Sequence, residues 1–186
     1  GRGRITEFLI LLNRIFQYWV YATPPAALLL IGLYPLSGAG IALPVYLALP
    51  IYMIHQFEEH DADRFAVFLK GLLGPERRGL TAADIWVVNV VCVWFVLLAV
   101  FYLASGNPAW GVLAGYLVIV NAVLHAAWAV RLRRYNPGLW TALLLFLPLA
   151  VWIFAVVPAP LSIHLASLLA VIILHAAIAY RASRPA

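Results

Sequence analysis

Residues 41–61 read IALPVYLALPIYMIHQFEEHD, an apolar run long enough to cross most of a bilayer that ends in two histidines and two glutamates. Over the whole chain of 186 residues, 66% of the side chains are hydrophobic, 10% are charged, and the mean hydropathy is +0.98. A soluble domain of this size could not bury so much apolar surface. The composition therefore predicts an integral membrane protein, an all-α polytopic bundle of transmembrane helices.

Six apolar segments have close to the 20 residues that a helix needs to cross about 30 Å of hydrocarbon. They are residues 15–35, 41–57, 83–105, 109–130, 139–157 and 162–180. Turn-forming residues separate them at 37–40, 74–75, 106–108, 136–138 and 158–160. Glu7 and Arg14 interrupt the apolar pattern before the first span, which predicts a surface-lying amphipathic helix over 4–14. Pro24-Pro25 should kink the span that follows.

The basic residues predict the orientation. The connections 36–40, 106–108 and 158–161 contain no Lys or Arg, whereas the other connections and both ends of the chain contain nearly all of them. The positive-inside rule then predicts that both termini are cytoplasmic. An amphipathic piece at 62–73, within the cytoplasmic loop 61–82, is expected to lie along the interface.

Charge and cysteine content exclude several classes of function. The formal charge of +5 is scattered between apolar runs, so no nucleic-acid-binding face is expected. Cys92 is the only cysteine, so the chain can form no internal disulfide and contains no CxxC motif.

An internal repeat relates two of the spans. The pattern LHAAxAxR occurs at 124–131 and again at 174–181, with a histidine six residues before an arginine in each copy. We interpret the chain as three helical hairpins, 15–57, 83–130 and 139–180, of which the last two are the most alike.

Three histidines should lie at one depth in the membrane. At about 1.5 Å rise per residue, His55, His125 and His175 each lie roughly 5–9 Å from the cytoplasmic end of their helix. Glu58 and Glu59 fall within about 60° of His55 on the helical wheel. His60 and Asp61 are expected at the solvated edge of the same helix.

Imidazoles and carboxylates at one depth are the ligand set for zinc, or for a pair of iron or manganese ions bridged by carboxylate. The predicted metal ligands are His55, Glu58, Glu59, His125 and His175, and the two glutamates are also the predicted catalytic groups. Supporting or substrate-contacting residues are expected at Asn89, Asn121, His60, Arg131 and Tyr135. An iron pair is favoured, zinc is an alternative, and haem fits less well because of the adjacent glutamates.

These residues resemble a known family. His55-x-x-Glu58-Glu59, Asn121-x-x-x-His125 and the Arg-Tyr-Asn-Pro-Gly turn at 134–138 are similar to the HXXEE-motif family of small bacterial membrane proteins, over about residues 45–180. The resemblance implies a bacterial cytoplasmic membrane location and no established activity. The histidine boxes of membrane desaturases are absent, and Arg64 follows Glu59 one residue too late for the EExxxR motif of CAAX-type intramembrane proteases.

Four classes of function remain open. The leading prediction is a metal-dependent membrane oxidoreductase, such as a hydroxylase or desaturase, acting on a lipophilic substrate near the cytoplasmic leaflet with an electron-donor protein or partner membrane subunits. The second is a zinc-dependent or glutamate-dependent intramembrane hydrolase. The others are a haem protein and a non-catalytic membrane subunit or small transporter.

Overall fold

The computed structural model describes residues 2–36 and 42–186, and within these ranges the chain is almost entirely helical. In chain order the helices are α1 Arg2–Tyr18, α2 Thr23–Leu33, α3 Leu43–His60, α4 Arg64–Leu73, α5 Ala82–Gly106, α6 Pro108–Leu132, α7 Leu139–Val156 and α8 Leu161–Ser183. The expected turn at 37–40 lies outside the described residues.

Five helical segments of the described chain are long and apolar enough to cross a membrane. They are Arg4–Leu36, which contains α2 and most of α1, and the helices α5, α6, α7 and α8. This finding is consistent with an integral membrane protein. Helix α3 is not one of the five, although it has 18 residues. Its last two turns carry the polar residues His55 to His60, which lower its mean hydropathy. Four of these polar residues, His55, Gln56, Glu59 and His60, are buried inside the bundle instead.

The N-terminal segment is helical without a break at residue 14. Helix α1 continues to Tyr18, and a 3-10 turn at Trp19–Ala22 separates it from α2. Pro24 and Pro25 occupy the first turn of α2, where proline is tolerated because the backbone N–H there has no helical partner. The change to 3-10 geometry falls just before the two prolines, where the sequence predicts a kink.

Helices α3, α5, α6 and α7 form the core of the bundle. The core includes the fully buried residues Ala48, Leu117, Phe146 and Ile153, together with other small and branched side chains. Large apolar side chains on the outer surface stay exposed, among them Phe95 at 71%. An apolar exterior around a packed core is what a lipid-facing bundle requires.

Two helices contain a π-helical stretch beside the polar residues of α3. Val87–Val93 in α5 includes Asn89, and Ala142–Phe146 in α7 includes Phe146. Such wide turns occur frequently at functional sites, because they redirect side chains that a regular helix would point elsewhere.

The loop after α4, the turn after α6 and the C-terminus meet at the end of the bundle where α3 finishes. Asp84 binds Arg78 at 3.2 Å and Arg181 at 3.0 Å. The guanidinium of Arg134 lies 5.6 Å from the centre of the Phe68 ring on α4. The basic residues of three connections are therefore gathered at one end of the molecule.

Candidate metal centre

Three buried side chains from two helices converge at this end of the bundle. Nε2 of His55 lies 3.5 Å from one carboxylate oxygen of Glu59, and Nε2 of His125 lies 3.5 Å from the other. Their possible ligand atoms all lie within 4.8 Å of one another. His55 is fully buried, and the other two side chains are nearly so. Two of the predicted imidazoles and one of the predicted carboxylates are thus close enough together to hold one metal ion.

The second ring nitrogen of His125 is held by Asn136. Nδ1 of His125 donates to Oδ1 of Asn136 at 2.7 Å, while Nδ2 of Asn136 donates to the backbone oxygen of His125 at 2.9 Å. The second bond orients the amide, so its oxygen must face the ring. His125 therefore carries a proton on Nδ1, and its Nε2 faces Glu59.

The second ring nitrogen of His55 is held by Thr141. The hydroxyl of Thr141 donates its hydrogen to Glu58 at 2.6 Å, so its oxygen accepts from Nδ1 of His55 at 2.8 Å. Within the described residues Nε2 of His55 has no hydrogen-bond partner. The ring of Phe146 lies 4.3 Å away between centroids and covers one face of the imidazole.

When both imidazoles are neutral, their Nε2 lone pairs point at a carboxylate that can only accept hydrogen bonds. Without a cation or an additional proton these contacts are repulsive, and in a buried site the repulsion is little screened. Two ligands bound at about 2.1 Å to one tetrahedral ion lie about 3.4 Å apart, which matches the observed 3.5 Å. Metal-binding histidines commonly donate their other N–H to a carboxylate, a carbonyl or a similar acceptor, as both do here.

The turn at 133–138 passes directly over the two imidazoles. Gly138 has φ +90°, and a Cβ atom there would lie 2.7 Å from Cε1 of His55 and 2.8 Å from Cε1 of His125. Glycine is required at this position both by the left-handed backbone and by the close approach of the rings. The turn therefore closes the candidate centre on one side.

Glu58 is not brought to the three-residue group. Its carboxylate accepts from the backbone N–H groups of Trp140 and Thr141, at 3.1 and 2.7 Å, at the start of α7. The hydroxyl of Tyr135 donates to it at 2.9 Å. Burial, together with the hydrogen bond to Glu58, raises the pKa of Tyr135 to about 12, so the phenol remains a donor at neutral pH. Glu58 therefore links the end of α3 to the start of α7 by hydrogen bonds. It also accepts the hydrogen of the Thr141 hydroxyl, whose oxygen accepts from His55.

The expectation that His60 lies at the solvated edge is wrong. His60 is 7% exposed, and its Nε2 lies 3.1 Å from Glu59 and 3.0 Å from Nδ2 of Asn89. A chain of donors leads to it, from the indole of Trp94 to Gln56 at 2.9 Å and from Gln56 to Asn89 at 3.0 Å. Asn89 in the π-helical stretch of α5, together with the rings of Trp19 and Phe65, accounts for a burial that the helical wheel did not predict.

His175 lies near the group without joining it. Its Nδ1 donates to the backbone oxygen of Val171 at 2.9 Å, and its side chain lines the same cavity as Glu59, His60 and His125. The cavity has a volume of about 950 Å³ and lies between α4, α5, α6 and α8. Most of its wall is aliphatic or aromatic. The three-residue group thus lies at the edge of a large apolar space.

Two other predicted residues line this cavity. Asn121 donates to the hydroxyl of Tyr52 at 3.2 Å, and its own Oδ1 is buried and has no partner within the described residues. Arg131 lies on the same face of α6, at the exposed end of the helix.

The sequence interpretation did not single out Asn136, Gly138, Thr141 and Gln56. A signal for the first two was present, because Asn-Pro-Gly between two spans indicates a tight turn, but the turn predicts only a boundary between spans and no contact with the site. Thr141 and Gln56 have no such signal, since their roles depend on which helices pack together.

The comparisons with known proteins agree with these residues. A family model described as a protein of unknown function with HXXEE motif matches residues 46–153. The match covers more than half of the chain, so this chain belongs to the HXXEE-motif family, and His55, Glu58 and Glu59 are its motif residues. No curated protein matches the chain, and no solved structure does.

Proposed function

We propose that this member of the HXXEE-motif family is a metal-dependent integral membrane enzyme that acts on a lipophilic substrate. His55, Glu59 and His125 would hold one divalent transition metal. The adjoining apolar cavity would hold the substrate. The observation that carries the proposal is the convergence of two imidazole Nε2 atoms on one buried carboxylate, with Nε2 of His55 otherwise unpartnered among the described residues.

The geometry favours one metal over the iron pair that the sequence suggests. A second ion would need Glu58 or His175 as a further ligand. The carboxylate of Glu58 already accepts hydrogen bonds from three residues, and Nδ1 of His175 is bonded to its own helix. His175 could reach the centre only through its other nitrogen and only by a movement of α8.

Iron is the metal we favour, and oxidation of the substrate is the reaction we favour. Two histidines and one carboxylate with open positions are the ligand set of non-haem iron oxygenases. Iron in such a set supplies activation of dioxygen, and an electron-donor protein would be needed at the cytoplasmic face. The chain's own residues would hold the metal, orient its ligands and exclude water with the apolar wall of the cavity.

Zinc-dependent hydrolysis is the second candidate. Two histidines and a glutamate also bind zinc in metalloproteases, where the metal activates a water molecule. The cavity offers a base for such a water at Nε2 of His175, because the Nδ1 proton of His175 is already donated to Val171.

Haem binding and hydrolysis by paired glutamates receive less support. The carboxylate of Glu59 lies 3.5 Å from both imidazoles, so it occupies the space that a haem between them would need. Hydrolysis by paired glutamates would need the two carboxylates together, whereas Glu58 is bound to the start of α7.

We place the centre at the cytoplasmic side of a bacterial inner membrane, in a six-span bundle of three hairpin-like units with both termini inside. Three kinds of support are available. Helix α3 packs with the apolar helices along its length. Basic residues gather at the end where it finishes, and the described connections without Lys or Arg, 106–108 and 158–161, fall at the other ends of the helices. The positive-inside rule connects this asymmetry to the orientation.

Reconstitution with each metal tests the reaction. The metal-free protein would be loaded with iron(II) or with zinc in lipid vesicles and supplied with dioxygen and a chemical reductant. We expect dioxygen uptake and an oxidised lipid with iron, and neither with zinc or with Glu59→Gln. Hydrolysis products with zinc would favour the second candidate, and no product with either metal would contradict an enzymatic role toward membrane lipids.

A further inference from the structure

We propose that the cavity beside the centre binds a single-chain lipid with an anionic head group, with the head at Arg131 and the chain running past the metal ligands. The inference rests on the proposed function, in which His55, Glu59 and His125 form a metal centre. The binding itself depends on residues that hold no metal.

Two of the helices that line the cavity, α6 and α4, each contribute an apolar stripe to its wall. On α6 the lining residues run from Leu117 through Leu124 and Trp128 to Arg131, at spacings of three, four and seven. On α4 the lining side chains recur at the same helical period, beginning at Phe65, and none of the residues of this helix is buried. Helix α4 therefore does more than lie on a membrane surface, since its apolar face closes a space inside the protein.

The length of the stripe fits one acyl chain. From Leu117 to Arg131 is fourteen residues, or about 21 Å at 1.5 Å per residue. One leaflet of a bilayer provides about 15 Å of hydrocarbon, half of the ~30 Å core. A chain drawn from one leaflet, with a head group at Arg131, would cover most of the stripe. The volume of about 950 Å³ is at the upper end of the usual range for ligand pockets.

The centre lies part-way along the stripe. His125 is about 9 Å along α6 from Arg131 and about 12 Å from Leu117. A lipid whose head is bound at Arg131 would therefore present an internal carbon of its chain to the centre, and its head group would lie away from the ligands.

Charge identifies the head group. The cavity wall contains one guanidinium, that of Arg131, and one carboxylate, that of Glu59 in the centre. Within the described residues Arg131 has no hydrogen bond and no ion pair, whereas Arg64, Arg78 and Arg181 each bind an aspartate. A cation without an anionic partner at the mouth of an apolar cavity is suited to a carboxylate or phosphate head group.

Binding of a long-chain free fatty acid to the full chain in detergent tests the proposal, with the fatty alcohol of the same length as the neutral probe. We expect the acid to bind about tenfold or more tightly than the alcohol, and Arg131→Gln to remove this preference. Arg133→Gln is the control, because Arg133 is on the same turn and does not line the cavity. Equal affinity for acid and alcohol, or equal effects of the two variants, would overturn the proposal.

A photoreactive fatty acid with its reactive group at mid-chain tests the position of the chain. We expect it to label α6 near His125 and the cavity face of α4. Labelling confined to outward-facing residues such as Val123 or Val130, which are 55% and 78% exposed, would overturn the proposal. Metal content is measured on the same samples, so a protein that prefers the acid without binding metal would refute only the proposed function.

Discussion

Asn136 binds His125 twice, accepting from Nδ1 at 2.7 Å and donating to the backbone oxygen at 2.9 Å. The pair joins the tight turn after α6 to the helix that supplies one of the two imidazoles. Because the amide is 1% exposed, its orientation is set by these two bonds and by the packing around it. The ring of His125 is thereby held with one nitrogen free for a metal.

Replacement of Asn136 by alanine should weaken metal binding without removing a ligand. Loss of a group that orients a metal-binding histidine typically lowers affinity about 10-fold to 100-fold. Asn107→Ala is the matched control. Asn107 also accepts a hydrogen bond in a turn that flanks α6, from the backbone N–H of Ala109, but it lies at the end of α6 away from His125. Metal titration by competition with a chelator measures both, and equal affinities for the two variants would contradict the assigned role.

Replacement of Gly138 by alanine should abolish the metal site and destabilise the protein. The new methyl group would meet both imidazoles at under 3 Å, and the backbone there has φ +90°. Gly32→Ala is the control, since nothing lies within 4 Å of a Cβ at that position and its helix should tolerate the change. Thermal unfolding and metal content are the measurements. A Gly138→Ala protein that unfolds and binds metal like the wild type would show that the turn does not approach the rings.

The two motif glutamates should behave differently. Glu59→Gln removes the carboxylate that both imidazoles face, so metal binding should be lost. Glu58→Gln should bind one metal per chain at saturation, but should be less stable by about 1–3 kcal/mol, because an amide cannot accept all the hydrogen bonds that the carboxylate accepts. Metal analysis and denaturant unfolding separate the two effects. Loss of metal from a folded Glu58→Gln protein would support the two-metal arrangement.

His175→Gln should keep its metal. The residue lines the cavity, and its Nδ1 is bonded to Val171, so we expect unchanged metal content and altered binding or turnover of the lipid. Elemental analysis of the purified variant checks this. Metal loss equal to that of His125→Ala would make His175 a ligand.

Much of the fold was predictable because hydropathy and turn residues dominate a sequence of this kind. The helices α5 to α8 begin and end within a few residues of the spans expected from composition. The N-terminal segment was less predictable, because the continuous helix through Asn13 and Arg14 depends on contacts such as that between Phe16 and Trp86.

The candidate site was predictable only in part. His55, Glu59 and His125 could be proposed because their depth and helical phase follow from the sequence. The helical wheel could not separate Glu58 from Glu59, since both flank His55 and the difference arises from the start of α7. It also placed His60 in solvent, because a single helix gives no information about the π-helical stretch that covers it.

The metal content of the purified protein is the most direct test of the central claim that His55, Glu59 and His125 form a metal centre. Wild type and His125→Ala would be purified gently in detergent, checked for folding by circular dichroism and analysed for transition metals. We predict about one metal per wild-type chain and a large loss in the variant. A folded wild-type protein with well below one metal per chain, and no uptake on addition of iron or zinc, would contradict it.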